Sequence, residues 1–236
     1  MNFCGHIDAH SPPGYLVVDE GLICSYADPF MIDIQGQGGH AARPHEAVDA
    51  VVVGASLVTN LQTMVARMIN PVHPGVITVG RLTAGSVHNV IAGNALLEGT
   101  IRSTHPDTRE QILQRMHGVV RGLEEMCNAQ ITFSLQNGLP AVINDKVSCT
   151  IARSAAHEVV RADQVISQGF PSLGAEDFSF YQQQIPGTMV RFGAKKKQET
   201  GPAHSGKFDF DERVLAYGSQ WLATVAVHGL RYLQQG

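Results

Sequence analysis

Apolar and polar residues alternate with two distinct periods along this chain, and the order in which the periods change outlines a fold. Phe30 to Gln35 alternates like a half-buried strand, and Glu46 to Met68 repeats apolar residues at helical spacing. Gly75 to Gly80 and Ala95 to Arg102 read as two further strands, with a turn centred on Gly85-Ser86-Val87-His88-Asn89 between them. A second helix is predicted from near Asp107, just after Pro106, to about Asn128, and Gln130 to Gln136 alternates again. The order β-α-β-β-α-β predicts a ferredoxin-like unit over 29–138, an antiparallel four-stranded sheet with two helices on one face. Such a unit leaves a sheet face or an edge for a partner.

The flanking segments read as α/β material. Ile143 to Arg161 is predicted as a helix capped by Asn144 or Asp145, Ala175 to Gln184 as a short helix, and Asp211 to Leu233 as a long one. Val165 to Ser167 and Thr188 to Gly193 are expected as short buried strands, and residues 1–28 add one strand, Tyr15 to Val18. Two or three strands make a poor free-standing sheet, so this second domain, 1–28 with 139–236, reads as incomplete. The predicted fold class is α/β (α+β).

Composition narrows the function. With 236 residues, 44% hydrophobic and 16% charged, the chain has enough material for one large or two modest domains. A net charge of −4 offers no basic stripe for nucleic acid, and no apolar run is read as a membrane span. Lys195-Lys196-Lys197 is read as a solvated loop. Cys4, Cys24, Cys127 and Cys149 stand far apart, a pattern suited to reduced thiols in a cytoplasmic protein; no signal peptide is read at the N-terminus.

The candidate chemistry begins at Gly38-Gly39-His40-Ala41-Ala42-Arg43-Pro44-His45, where two glycines deliver a histidine at the end of a strand and Arg43-Pro44 is expected to open the following helix. Three further motifs follow: His88-Asn89-Val90-Ile91 with Gly99-Thr100-Ile101-Arg102, Gly174-Ala175-Glu176-Asp177-Phe178, and Ala203-His204-Ser205 leading to Phe208-Asp209. In this order and spacing the chain resembles the di-metal amidohydrolases of the aminoacylase–carboxypeptidase superfamily, in the branch of hippurate and auxin-conjugate hydrolases. The resemblance implies an α/β metal domain carrying an inserted ferredoxin-like lid, or dimerisation, domain. It implies homodimers and a divalent metal (zinc, manganese or cobalt). The implied substrates are small N-acyl-amino acids.

His6 falls on a metal-ligand position ahead of the loop Ser11-Pro12-Pro13-Gly14, although Ala9 replaces the usual proline. The alternative of matching Cys4-Gly5-His6 to the family's earlier Cys-Gly-His-Asp motif is set aside, because everything from Pro12 onward follows the later histidine; Cys4 is then an incidental thiol. By the same resemblance His204 is the second metal ligand, with Gly206 in place of the usual proline. The resemblance further implies that His40 is the oxyanion-stabilising histidine that reaches across the dimer, that Asn89 and Arg102 hold the substrate carboxylate, and that Glu176 supports the cleft. Each has a plainer structural reading: a turn histidine, a turn asparagine, a strand-edge arginine, and a carboxylate at a helix start.

The family's chains begin on the order of 100 residues earlier. That segment holds the first metal ligands, the bridging ligands and the glutamate base. The resemblance therefore implies either a fragment or a gene without its catalytic half. The alternatives to an amidohydrolase are a non-catalytic dimerisation or binding module and, from the topology alone, a small-molecule-binding regulator.

Overall fold

A computed structural model describes residues 1–198 and 200–234 and divides the chain into two compact units. The first comprises Met1–Cys24, Ala141–Ser172 and Glu176–Gly236, and the second Ser25–Pro140 with Leu173–Ala175.

The N-terminal segment forms three strands rather than one before the second unit begins: β1 (Asn2–Asp8), β2 (Leu16–Val17) and β3 (Gly21–Cys24). Segment β1 escapes the sequence reading because Asn2-Phe3-Cys4-Gly5-His6-Ile7-Asp8 does not alternate strictly; its pairing partner lies some 185 residues away in the sequence. After β3 the chain builds β4 (Tyr26–Gln35), β5 (Gly39–His40), α1 (Ala50–Met68), β6 (Gly75–Ala84), β7 (Val90–Ile91), β8 (Asn94–Ser103), α2 (Pro106–Cys127) and β9 (Gln130–Leu135). It then returns to the first unit with β10 (Val142–Asn144), α3 (Lys146–Val159), β11 (Val165–Ile166), α4 (Phe178–Gln182), β12 (Gly187–Gly193) and α5 (Val214–Gln234).

In the second unit the sheet order is β6-β8-β4-β9, and every neighbouring pair is antiparallel. Phe30, Ile32 and Ile34 of β4 and Leu97 and Ile101 of β8 point to one face, where Leu57, Leu61 and Met64 of α1 and Ile112 and Met116 of α2 complete the core. This alternation is the period-2 signal of strands with one buried face. Pro44 does not open α1. It starts a single 3₁₀ turn, Pro44–Glu46, after which Ala47 is extended. The helix begins at Ala50 because the Asp49 carboxylate accepts hydrogen bonds from the Val51 and Val52 amides, satisfying two donors that a helix start leaves without partners. By length and composition α1 could cross a membrane, contrary to the sequence reading, but its apolar face lies in this core.

The first unit holds a four-stranded sheet of order β1-β12-β2-β11, with β1 parallel to β12 and at an edge. Trp221 of α5 is fully buried against Phe3 and Phe192, and its indole N–H donates to the Ala152 carbonyl at 3.1 Å. The segment predicted as the start of the third helix is instead strand β10, paired with β3. Asp145 then caps α3 through the Ser148 amide at 2.8 Å. The predicted helix over 175–184 shortens to α4, so Glu176 precedes the helix rather than belonging to it.

Candidate functional site

Each unit holds one group of the candidate residues. In the first, His6 stands on β1 in register with Arg191 of β12, and its side chain is half exposed. Its Nδ1 lies 2.7 Å from the Ile7 carbonyl oxygen. A carbonyl only accepts, so Nδ1 carries the proton and the neutral ring is left with a lone pair on Nε2. That lone pair lies 3.5 Å from Oε2 of Glu176. Two acceptors facing each other need a cation or a proton between them. Burial, then the hydrogen bond that the protonated Glu176 carboxyl donates to Asp177, raise Glu176 above its ordinary pKa, while protonation of the His6 ring acts in the opposite direction.

Cys4 shares this neighbourhood. It precedes His6 by two residues on the strand, so both side chains point to one face, and it packs against the cluster formed by Ile23, Cys24, Val142, Phe178 and Met189. Its thiol is pushed up to about 11 by burial and then by the charges of Glu176 and Asp177. The sequence reading treats Cys4 as incidental; its position beside Glu176 follows from the β1–β12 pairing. Asp8, also passed over, closes the strand: its carboxylate accepts from the His10 and Ser11 amides at 2.9 and 3.2 Å and turns the chain into the Pro12-Pro13-Gly14 loop. The signal for Asp8 is its place just before Ser-Pro-Pro-Gly, where an aspartate can close an Asx turn.

His204 sits in an exposed turn with φ of 65°, a left-handed conformation uncommon for residues other than glycine. The turn is closed by the Gly201 amide donating to the Lys207 carbonyl at 2.9 Å and by the Ser205 amide donating to Pro202 at 3.2 Å. Among the described residues no group of three or more His, Cys, Asp or Glu side chains is placed to hold a metal ion.

In the second unit, β5 and β7 form a two-stranded ribbon with His40 opposite Val90 and Gly39 opposite Ile91. The glycines are required by close approach, not by backbone sign: a Cβ on Gly39 would lie 2.9 Å from the Ala47 Cβ, and one on Gly38 3.2 Å from the Ile91 carbonyl. Beyond the ribbon the Ala41 amide donates to the Asn89 carbonyl at 3.4 Å, so the two motifs meet through their backbones. The Ala42 amide donates to Nδ1 of His40 at 3.0 Å. That bond fixes the opposite tautomer from His6: Nδ1 is the acceptor, and the neutral ring carries its proton on the exposed Nε2.

Arg102 lies on β8, across from Ala27 and Val76, on the sheet face turned away from the helices. Its side chain makes no hydrogen bond or ion pair among the described residues, and none joins it to the ribbon. Gly99 of the same motif is explained by packing, because a Cβ there would lie 2.3 Å from the Thr78 carbonyl and 2.4 Å from the Phe30 ring.

Comparison with known proteins matches this architecture. The chain is 35% identical over 218 residues to an N-acetyldiaminopimelate deacetylase of Anoxybacillus flavithermus, covering 92% of this chain and 56% of that protein. It is 32% identical over 220 residues to an N-acetyl-L-cysteine deacetylase of Bacillus subtilis, covering 92% and 51%. Among solved structures, the Bacillus subtilis YXEP protein, described as a dinuclear metal-binding peptidase of the M20 family, superposes with a TM-score of 0.78 at 29% identity. That match covers 97% of this chain and 57% of the other. The chain thus spans a little over half the length of the relatives it matches. These similarities do not single out the hippurate and auxin-conjugate branch. Residues 17–228 match the family model for peptidase family M20/M25/M40, and the chain belongs to that family.

Proposed function

We propose that this chain supplies the lid, one metal-binding edge and the supporting helices of a metal-dependent amidohydrolase that cleaves N-acyl-amino acids. The observation that carries the reading is the pair of histidines held by backbone bonds in opposite tautomers: His6 offers a lone pair, and His40 offers an N–H.

A neutral imidazole with its other nitrogen bonded to a carbonyl is the form that binds a divalent metal, and Glu176 faces the same lone pair. His6 therefore fits the implied metal, with His204 as the second ligand by resemblance. They form part of a coordination shell, which needs at least three protein ligands. The bound metal would polarise the amide carbonyl and lower the pKa of water.

The remaining steps belong to side chains. Arg102 and Asn89 hold the substrate carboxylate, one through a planar guanidinium and the other through an amide. Nε2–H of His40 donates to the oxyanion as the carbonyl becomes tetrahedral. Glu176, 3.5 Å from the His6 ring, supports the cleft. The relatives named as deacetylases of N-acetyl-amino acids support the substrate class. The antiparallel order β6-β8-β4-β9 with two helices on one face supports reading the second unit as a ferredoxin-like lid. Its edge strand β6, ten residues long, suits a homodimer. That same edge favours a second reading, a non-catalytic dimerisation module.

The test is hydrolysis of N-acetyl-amino acids with zinc, manganese or cobalt, by this chain alone and together with the N-terminal segment of a longer relative. Metal-dependent hydrolysis in the combined sample, reduced at least a hundredfold by His40→Ala, is expected. No hydrolysis in either sample would reject the amidohydrolase reading and leave the dimerisation module.

A further inference from the structure

The first unit holds a cavity of about 300 Å³, at the small end of the roughly 300–1,000 Å³ of small-molecule sites. Asp19 and Glu20 line it from the turn between β2 and β3, Leu22 from β3, Arg153 from α3, and Ser167 and Phe170 from the segment after β11. Three formal charges stand in this lining, and they differ in what they already bind. Asp19 is satisfied: Oδ1 accepts from the Ser167 hydroxyl and Oδ2 from the Gln168 amide at 3.0 Å. Arg153 is held by a single bond, Nη2 donating to the carbonyl of the buried Val18 at 2.6 Å. A guanidinium has five N–H groups, and no carboxylate lies within ion-pair distance of this one among the described residues. Glu20 is exposed and makes neither a hydrogen bond nor an ion pair among the described residues. Both act on the same thiol, Cys149, which the carboxylate pushes up and the guanidinium pulls down. Beside them Phe170, 69% exposed, and Leu22 offer apolar surface.

We propose that this cavity binds a free α-amino acid with an apolar side chain. A guanidinium and a carboxylate that share a cavity without pairing match a ligand that carries the opposite charges on one carbon. The α-carboxylate meets Arg153, whose planar fork suits it, and the α-ammonium meets Glu20. A simple anion would face Glu20 and Asp19, and a simple cation would face Arg153; the zwitterion has an opposite charge for each free group. Phe170 and Leu22 gain by covering an apolar side chain, because apolar surface leaves water on both partners. An N-acyl-amino acid has no ammonium and is refused. Under the amidohydrolase reading above, the site therefore takes the product and not the substrate; the binding itself does not depend on that reading.

The test is isothermal titration calorimetry on the full chain and needs no turnover. L-Phenylalanine is compared with N-acetyl-L-phenylalanine, which lacks the ammonium, and with L-phenylalaninamide, which lacks the carboxylate. Saturable one-to-one binding of the amino acid is expected, with each derivative about tenfold weaker or more, since each loses a hydrogen bond between charged groups. Glu20→Gln, at an exposed position, should lower the affinity for L-phenylalanine to that for the N-acetyl derivative. Arg153→Gln should lower it to that for the amide. Should Arg153→Gln fail to fold, Glu20→Gln and Phe170→Ser, both on the surface, still decide; the latter should weaken binding about threefold through lost apolar contact. No saturable binding, equal affinity for the three compounds, or an unchanged affinity in Glu20→Gln would overturn the proposal. Binding without hydrolysis in the combined sample would reject the amidohydrolase reading alone, whereas hydrolysis without binding would reject the amino-acid site alone.

Discussion

The chemistry of the candidate residues is decided by single backbone groups next to them. The Ile7 carbonyl and the Ala42 amide each bond the Nδ1 of a nearby histidine, and because one accepts and the other donates, two identical side chains present opposite Nε2 atoms. Cys4 shows a comparable local control. Burial first, and Glu176 and Asp177 second, push its thiol up to about 11. The raised value means the protonated form persists through neutral pH, with on the order of a hundredfold less thiolate than a free cysteine near pKa 8.5. Iodoacetamide labelling of Cys4, followed by peptide mass spectrometry, should therefore stay slow at pH 8 and rise towards pH 11. Glu176→Gln should lower the midpoint without restoring it to the ordinary value, since burial remains. A midpoint near 8.5 in the unaltered chain would contradict this account.

At the scale of elements, β4 and α2 are joined by a bidentate ion pair. Both Nε and one terminal nitrogen of Arg109 donate to Asp28 at 2.7 Å, and the guanidinium lies 5.6 Å from the centre of the Tyr26 ring. The two partners differ in solvent access: the Asp28 side chain is 8% exposed and that of Arg109 32%. Arg109→Ala leaves a buried carboxylate without a counter-charge, at a cost of about 3–5 kcal/mol. Asp28→Ala leaves a guanidinium that can reach water, costing about 1–2 kcal/mol. Urea midpoints of the two variants should fall in that order. The reverse order would show that the pair is not asymmetric in burial.

For the molecule as a whole, β6 is an edge of the second unit's sheet and carries two exposed apolar side chains, Val76 at 37% and Leu82 at 43%. An edge strand of ten residues with apolar side chains is a template for pairing unless it is covered or blunted. Pairing of two copies through this edge is the expected state. Light scattering coupled to size exclusion should then give twice the 25.4 kDa of the chain. Val76→Lys with Leu82→Lys should shift the protein towards the monomer, because lysines on an edge oppose pairing. A wild-type chain that elutes as a monomer at tens of micromolar would dispose of the dimer.

Local periodicity sufficed for most of the second unit. Its strands alternate over one buried face and its helices repeat apolar residues on one side, so β4, α1, β6, β8, α2 and β9 were each legible from their own residues. The start of α1 was misplaced, since Pro44 and Asp49 both signal a helix start and only the structure shows which one provides the capping bonds. The first unit was less legible because its order is long-range. Segment β1 is a strand on account of β12, and β10 is a strand on account of β3, neither partner being adjacent in sequence. The same holds for the candidate site. The family resemblance pointed to His6, His40, Asn89, Arg102, Glu176 and His204, but which of them meet was decided by pairing. Strand β1 brings His6 to Glu176, the β5–β7 ribbon lays His40 opposite Val90, and Arg102 joins neither contact. A residue's type and spacing limit what chemistry it can do; its proton and its partner are set by whichever distant strand the fold lays beside it.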